Sequence, residues 1–275
     1  MGNLWKGFKE HGTFRFTSLL VILLIALVVL APVIAPYNPL EAVMKDANQA
    51  PSMAHLFGTD KLGRDVLSRI LYGGAYSLSS VLALVAIIFC VGTFLGLVAG
   101  YFGGLIDTVI MRVADMMISF PGVILAIAIA GIMGGSLVNA MIALTAVTWT
   151  KYARLSRSMV LKIRKRDFVD AAIVSGGTSS HILWTHIMPN VVPILVITAV
   201  SDIGAMMMEL AGLSFLGFGA KPPAPEWGLM LNEGRQQLQT APWLMVFPGL
   251  AIFISVVIFN LWGDALRDVL DPRDQ

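Results

Sequence analysis

The sequence predicts an all-α membrane protein with six transmembrane helices and a helix–turn–helix between the fourth and fifth. Three observations lead there. Residues 16–40, 70–106, 116–150 and 236–263 contain no Asp, Glu, Lys or Arg, and a hydrocarbon core of about 30 Å is crossed by roughly 20 apolar residues in a helix. Only 13% of the chain is charged while 57% is hydrophobic; soluble domains carry about a quarter charged residues, so this chain needs lipid as a solvent. Finally, basic residues concentrate in one loop. No stretch shows the alternation every second residue that a membrane β-barrel requires.

Taken in order, the first apolar run, Phe16 to Ala35, follows Lys6, Lys9 and Arg15 and is closed by Pro32 and Pro36. It is longer than the apolar core of a signal peptide and reads as a retained first span. Span two is expected at Leu78–Tyr101, span three at Thr108–Met133 and span four at Leu137–Thr150, with the glycines of Gly131–Gly135 turning the chain between the last two. Spans five and six are expected at Asn190–Leu213 and Trp243–Trp262. The chain divides into an N-terminal segment, 1–75, and a five-helix core, 76–275. Cys90 is the single cysteine, so an internal disulfide is excluded.

Lys and Arg favour the cytoplasmic side. The loop 151–190 holds Lys151, Arg154, Arg157, Lys162, Arg164, Lys165 and Arg166 against Asp167 and Asp170 alone. With that loop inside, six spans place both termini in the cytoplasm, which agrees with the basic N-terminal residues. The cluster lies between two spans, which argues against nucleic acid and leaves anionic membrane lipid as a simple partner. Within the loop, DFVDAAIVSGGTSSHILWTHIMPN (167–190) reads as one short helix, a Gly176-Gly177 break, and a second helix capped by Ser179 or Ser180. Pro189 restricts the backbone at the end of that second helix. Ile173, Ile182, Leu183 and Trp184 offer apolar contacts. A forty-residue structured connection exceeds what joining two spans needs.

The pattern Asp170-Ala171-Ala172, three residues, Gly176, nine residues, His186-Ile187-Met188-Pro189 resembles the EAA loop of ABC-importer permeases. Asp170 stands where that family usually has Glu, and Met188 where it often has Leu. The stretches FGTDKLGRDVLSRILYGG (57–74), MRVADMMISFP (111–121), LSFLGFGAKPPAPEWG (213–228) and FNLWGDALRDVLDP (259–272) are similar to the dipeptide/oligopeptide/nickel permease family, in particular its C-type subunit. The resemblance implies a type I ABC importer fold in a prokaryotic inner membrane, moving small peptides or nickel and metal chelates. It also implies a second permease subunit, two ATPase subunits and an extracytoplasmic substrate-binding protein. Asp170, Ala171, Ala172, Gly176, His186, Ile187 and Pro189 would then couple to the ATPase. No G-x-x-x-x-G-K-[ST] phosphate loop occurs in the chain. ATP and Mg are therefore expected in the partner ATPase, with no cofactor and no catalytic residue here. His181 and His186 lack H-E-x-x-H spacing and read as loop residues, not metal ligands.

Gly92, Gly96, Gly100 and Gly104 recur every four residues, aligning glycines for close helix approach, whether as static packing or as a sliding surface. Asp202 and Glu209 lie near one face of span five. Ionisable groups there face a cavity or a polar partner, so they either line a translocation path favouring cationic cargo or pair with the neighbouring permease. Met206, Met207 and Met208 point in different directions and cannot clasp one ion. Asp115 and Arg112 are spaced for a local ion pair. Residues 57–74 read as an amphipathic interfacial helix, with Lys221–Trp227 as a proline-stiffened neighbour. An ion-driven secondary transporter using Asp202 and Glu209 is the alternative. An intramembrane enzyme lacks a paired nucleophile and base.

Overall fold

The computed structural model describes residues 11–270, so Lys6, Lys9 and Pro272 lie outside the described residues. Among the described residues the chain is helical throughout, with one isolated antiparallel bridge, Thr59 to Asp65. The helices are α1 (Gly12–Val29), α2 (Ala31–Ile34), α3 (Val66–Phe102), α4 (Gly104–Ile118), α5 (Gly122–Met133), α6 (Leu137–Ile163), α7 (Asp167–Val174), α8 (Ser179–Phe215), α9 (Trp227–Gly234) and α10 (Trp243–Leu270). Helices α1, α3, α8 and α10 are each long and apolar enough to cross a membrane, and α4 with α5 forms a pair bent by 94°. Helix was the expected state because lipid leaves backbone groups to satisfy one another.

The helices fall into two units. The first comprises 11–83, 130–142 and 200–270. Here α1 lies along α10, with Phe14, Ala265, Leu266 and Val269 forming a buried cluster against Val200 and Trp262. The Trp262 indole N–H donates to Ser18 Oγ at 3.1 Å. Asp65 caps α3, its Oδ2 accepting from the Ser68 N–H at 2.8 Å and the Ser68 hydroxyl at 2.7 Å. Phe57 stacks on Phe247 with centroids 4.0 Å apart, and the Trp243 indole donates to Thr59 O.

The second unit comprises 84–129 and 143–199. The α3 glycines set its closest approach. A Cβ added at Gly92 would lie 2.5 Å from Trp149 O, one at Gly100 2.8 Å from Val160 Cβ, and one at Gly96 would run into the Ala153 backbone and Ser156 Cβ. The Ser156 hydroxyl donates to Thr93 O at 3.1 Å across the same contact. Gly104 does not belong to this face. It opens α4 with φ +56, and an added Cβ would meet nothing within 4 Å. The four-residue spacing continues one step past the helix, because Gly103, with φ +67, has already turned the chain.

Three expected elements differ. Span three is not one straight helix: Pro121 has no N–H to continue α4 and disfavours helix at Phe120, so the chain restarts at Gly122. The segment 57–74 is not a surface helix; residues 57–65 form a loop and Val66 begins α3. Asp115 pairs with Arg154 on α6, not with Arg112, and Asp107 pairs with Arg157 through Nε and Nη2. Both pairs tie α4 to α6.

Replacing Gly96 with Leu drives a side chain into backbone, and overpacking of this kind costs about 1–3 kcal/mol. Gly212, where a Cβ meets nothing within 4 Å, tolerates Ala within about 0.5 kcal/mol. Thermal unfolding of the purified variants in detergent separates the two; equal midpoints would contradict this packing.

Candidate functional site

The loop predicted to dock is built from α7, a two-glycine turn and the first turns of α8. Asp167 and Asp170 lie in the first turn of α7, where negative charge favours the helix. The helix ends in a pair of hydrogen bonds: the Gly177 N–H donates to Ala172 O and the Gly176 N–H to Ile173 O, both at 3.0 Å. Gly176 sits at φ +81, the left-handed conformation this cap requires. A Cβ at Gly177 would approach Ala172 O at 2.8 Å. Thr178 then caps the second arm, accepting from the His181 N–H at 3.3 Å. Neither Ser179 nor Ser180 is the cap, since Thr178 is the residue that retains extended backbone.

The second arm is not a separate helix. It continues through Pro189 into span five as one 37-residue helix, Ser179–Phe215, with a π-helical stretch at Ile182–Ile187. In an α-helix, residues five apart are about 140° out of register; i→i+5 bonding brings them toward one face. Ile182 and Ile187 are both buried as a result, and the rings of His181 and His186 stand 5.7 Å apart. The Asn190 side-chain amide donates to His186 O at 2.7 Å.

Burial sorts the residues of this element. Val169, Ile182, Leu183 and Ile187 are buried, so the apolar contacts of Ile182 and Leu183 are made within the chain. Phe168, Ile173, Val174 and Trp184 remain exposed, Val174 at 88%. Asp170, Ala171, Gly176 and Pro189 are exposed, and Ala172 and His186 are half-buried. Asp202 and Glu209 are half-buried on α8; between them Met206 and Met207 are buried while Met208 is 56% exposed. Among the described residues, no cluster of three His, Cys, Asp or Glu side chains could hold a metal ion.

Sequence reasoning missed a buried charge node in the first unit. Asp60 Oδ2 accepts from Arg64 Nε and from Arg69 Nη1, each at 2.6 Å, and its Oδ1 accepts from the Leu62 and Arg64 N–H groups. Arg69 Nη2 donates to Glu233 Oε2 at 2.8 Å. Two guanidinium groups and two carboxylates thus balance with little water, the Arg69 side chain being 1% exposed. This pairing is why the charges of 57–74 turn inward and do not form the outer face of an amphipathic surface helix. The available signal was an arginine at the start of a long apolar helix, which demands a carboxylate somewhere.

Beside the node, Trp227 anchors α9. Its indole N–H donates to Ile70 O at 3.0 Å and its backbone N–H to Ser77 Oγ at 3.1 Å. Gly73 leaves room for Pro225 and the Trp227 ring. Glu226 caps α9, accepting from the Gly228 and Leu229 N–H groups at 2.8 and 2.7 Å. Burial pushes its carboxyl above the ordinary value of 4.5, opposed by those two N–H groups.

Comparison with known proteins places this geometry. Residues 92–273 match the family described as binding-protein-dependent transport system inner membrane component, and residues 1–51 match the N-terminal TM domain of oligopeptide transport permease C. The chain is 42% identical to a glutathione transport system permease protein of Pectobacterium atrosepticum, over 98% of this chain and 90% of that one. It is 42% identical to a dipeptide transport system permease protein of Alkalihalophilus pseudofirmus, over 98% and 88%. It is 43% identical to a nickel transport system permease protein of Escherichia coli K12, over 94% and 95%. In fold it is similar to a chain of the inward-facing MetNI methionine ABC transporter, with a TM-score of 0.52 and 19% identity over 72% of this chain and 96% of that one.

Two differences are measurable. Asp60→Asn leaves two buried guanidiniums sharing the single carboxylate of Glu233 and lowers stability by about 3–5 kcal/mol, whereas Asp115→Asn, in the second unit, breaks an exposed pair worth about 1 kcal/mol or less; thermal unfolding in detergent compares them. For Glu226, a raised folded pKa means that its stabilising contribution is full below the ordinary value and is lost as pH rises through the folded value. The native protein therefore loses stability relative to Glu226→Gln as pH climbs above 4.5, and parallel pH profiles would contradict this.

Proposed function

Given that this chain belongs to the family of binding-protein-dependent transport system inner membrane components, and is a permease subunit of an ABC importer, we propose that residues 167–187 receive a separate ATPase and that α8 carries its stroke into the membrane. The observation that carries this reading is the exposure of Phe168, Ile173, Val174 and Trp184 on an element whose Val169, Ile182, Leu183 and Ile187 are buried. Grouped apolar side chains left facing outward mark a contact surface. Asp170, Ala171, Ala172 and Gly176 shape that surface from the α7 side, and His186, Ile187 and Pro189 join it to span five. Because the second arm is continuous with α8, displacement at the surface is delivered along a single helix.

In this account the chain performs no bond chemistry. ATP and Mg are bound by two ATPase subunits, a second permease completes the passage, and an extracytoplasmic binding protein delivers cargo. Six crossings with both termini cytoplasmic are supported by the four long apolar helices, by the bent α4–α5 pair, and by α6, whose Leu137–Thr150 half carries no charge. The seven basic residues of 151–166 support a cytoplasmic inner end for it.

Cargo is inferred from the relatives, which are named for glutathione, dipeptides and nickel. A small peptide or a metal or its chelate is the shared class, and the binding protein performs the main selection. Asp202 and Glu209 line the path and favour cationic groups on the cargo.

Gly176→Val forces a β-branched residue into the left-handed region at a cost of about 1–2 kcal/mol, so retention of the ATPase by the purified complex falls on the order of tenfold. Undiminished retention would contradict the docking role. Asp202→Ala with Glu209→Ala raises KM for cationic cargo in an assembled complex; unchanged uptake kinetics would remove both residues from the path.

A further inference from the structure

A cavity of about 480 Å³ opens within the second unit beside the proposed docking element, sharing Phe168 with its exposed apolar face but not Ile173, Val174 or Trp184. Its apolar wall includes Leu155, Met159 and Ile194, and its ionisable lining consists of Lys162 and Arg166. No carboxylate lines it, and among the described residues neither cation forms an ion pair. The other acceptors and donors at its edge are uncharged, the Ser158 hydroxyl and the Asn190 amide. A free metal cation is repelled by this lining, and a wholly apolar ligand would leave the two charges unmatched. The complementary ligand has an anionic head and an apolar tail.

Its depth in the membrane agrees. The charge-free half of α6 ends at Thr150 and basic residues follow from Lys151 to Arg166, so the cavity lies beyond that half on the inner side of the membrane. Along α6, Leu155 and Met159 lie nearer the apolar half, and Lys162, with Arg166 after the helix end, lies farther from it. The opposite wall is supplied by Asn190 and Ile194, where the apolar part of α8 begins. Two helices thus independently put the cavity at the same boundary, with its cations outermost and its apolar wall toward the hydrocarbon.

The geometry points to a site for an anionic phospholipid, its phosphate held by Lys162 and Arg166 and one acyl chain laid along Leu155, Met159 and Ile194. This rests on the chain's membrane placement and not on ATPase docking. Because Phe168 of α7 also borders the cavity, the seated lipid contacts α6, α7 and α8 together and steadies the docking element from its membrane side.

The test uses the full complex in nanodiscs of phosphatidylcholine containing a minor fraction of phosphatidylglycerol, followed by mass spectrometry of lipid retained after detergent exchange. The native complex is expected to enrich phosphatidylglycerol. Lys162→Gln with Arg166→Gln, both exposed and free of structural ion pairs, reduces that enrichment roughly tenfold to thirtyfold. Lys165→Gln, which removes a charge outside the cavity, leaves it unchanged. Equal retention of both lipids, equal loss in the Lys165 variant, or displacement of the bound lipid by millimolar inorganic phosphate would each overturn the assignment. ATPase retention in the double variant is measured alongside: a complex that keeps its ATPase and loses the lipid separates this site from the docking surface.

Discussion

Lipid offers no hydrogen-bond partner, so every polar group this chain carries into the membrane must find one within protein. That constraint reaches beyond the choice of helix. Buried Arg69, at the head of α3, pairs with Asp60 and Glu233, and the more exposed Asp107 and Asp115 on α4 pair with Arg157 and Arg154 on α6. Where no polar group intervenes, association rests on close contact, which is why Gly92, Gly96 and Gly100 lie against the backbone and side chains of α6. The charges and the glycines are two answers to one requirement.

The same requirement separates what is legible in the residues from what is not. Charge-free runs locate α1, α3 and α10, because apolar length is a local property. Tertiary facts are hidden. Asp60, Arg64 and Arg69 resemble the wet face of an interfacial helix, since their partner Glu233 is more than 160 residues away. Pro121 is visible as a residue but not as a 94° bend. Pro189 reads as a boundary, yet the π-helical stretch at Ile182–Ile187 lets the helix run through it. In the docking element, glycine chemistry predicts the break at Gly176. Which apolar side chains remain outside is unreadable, because α7 and the start of α8 decide that jointly: Ile182 and Leu183 turn inward and Val174 outward.

Function follows from how stiffness is distributed. The docking element has buried apolar residues of its own, a glycine cap that sets one geometry, and no break before span five. The proposed coupling uses the fact that Ser179–Phe215 is one helix, which carries both the start of the second arm and Asp202 and Glu209. In the proposed account the exposed surface engages the ATPase, and the half-buried Asp202 and Glu209 on α8 face the cargo.

The most direct measurement is uptake by sealed vesicles holding the assembled complex, with the binding protein and cargo on one side and ATP on the other, and no ion gradient. Accumulation is expected to require ATP and to cease when the ATPase subunits are omitted. Accumulation by this chain alone, driven by an ion gradient without ATP, would contradict the coupling role of residues 167–187.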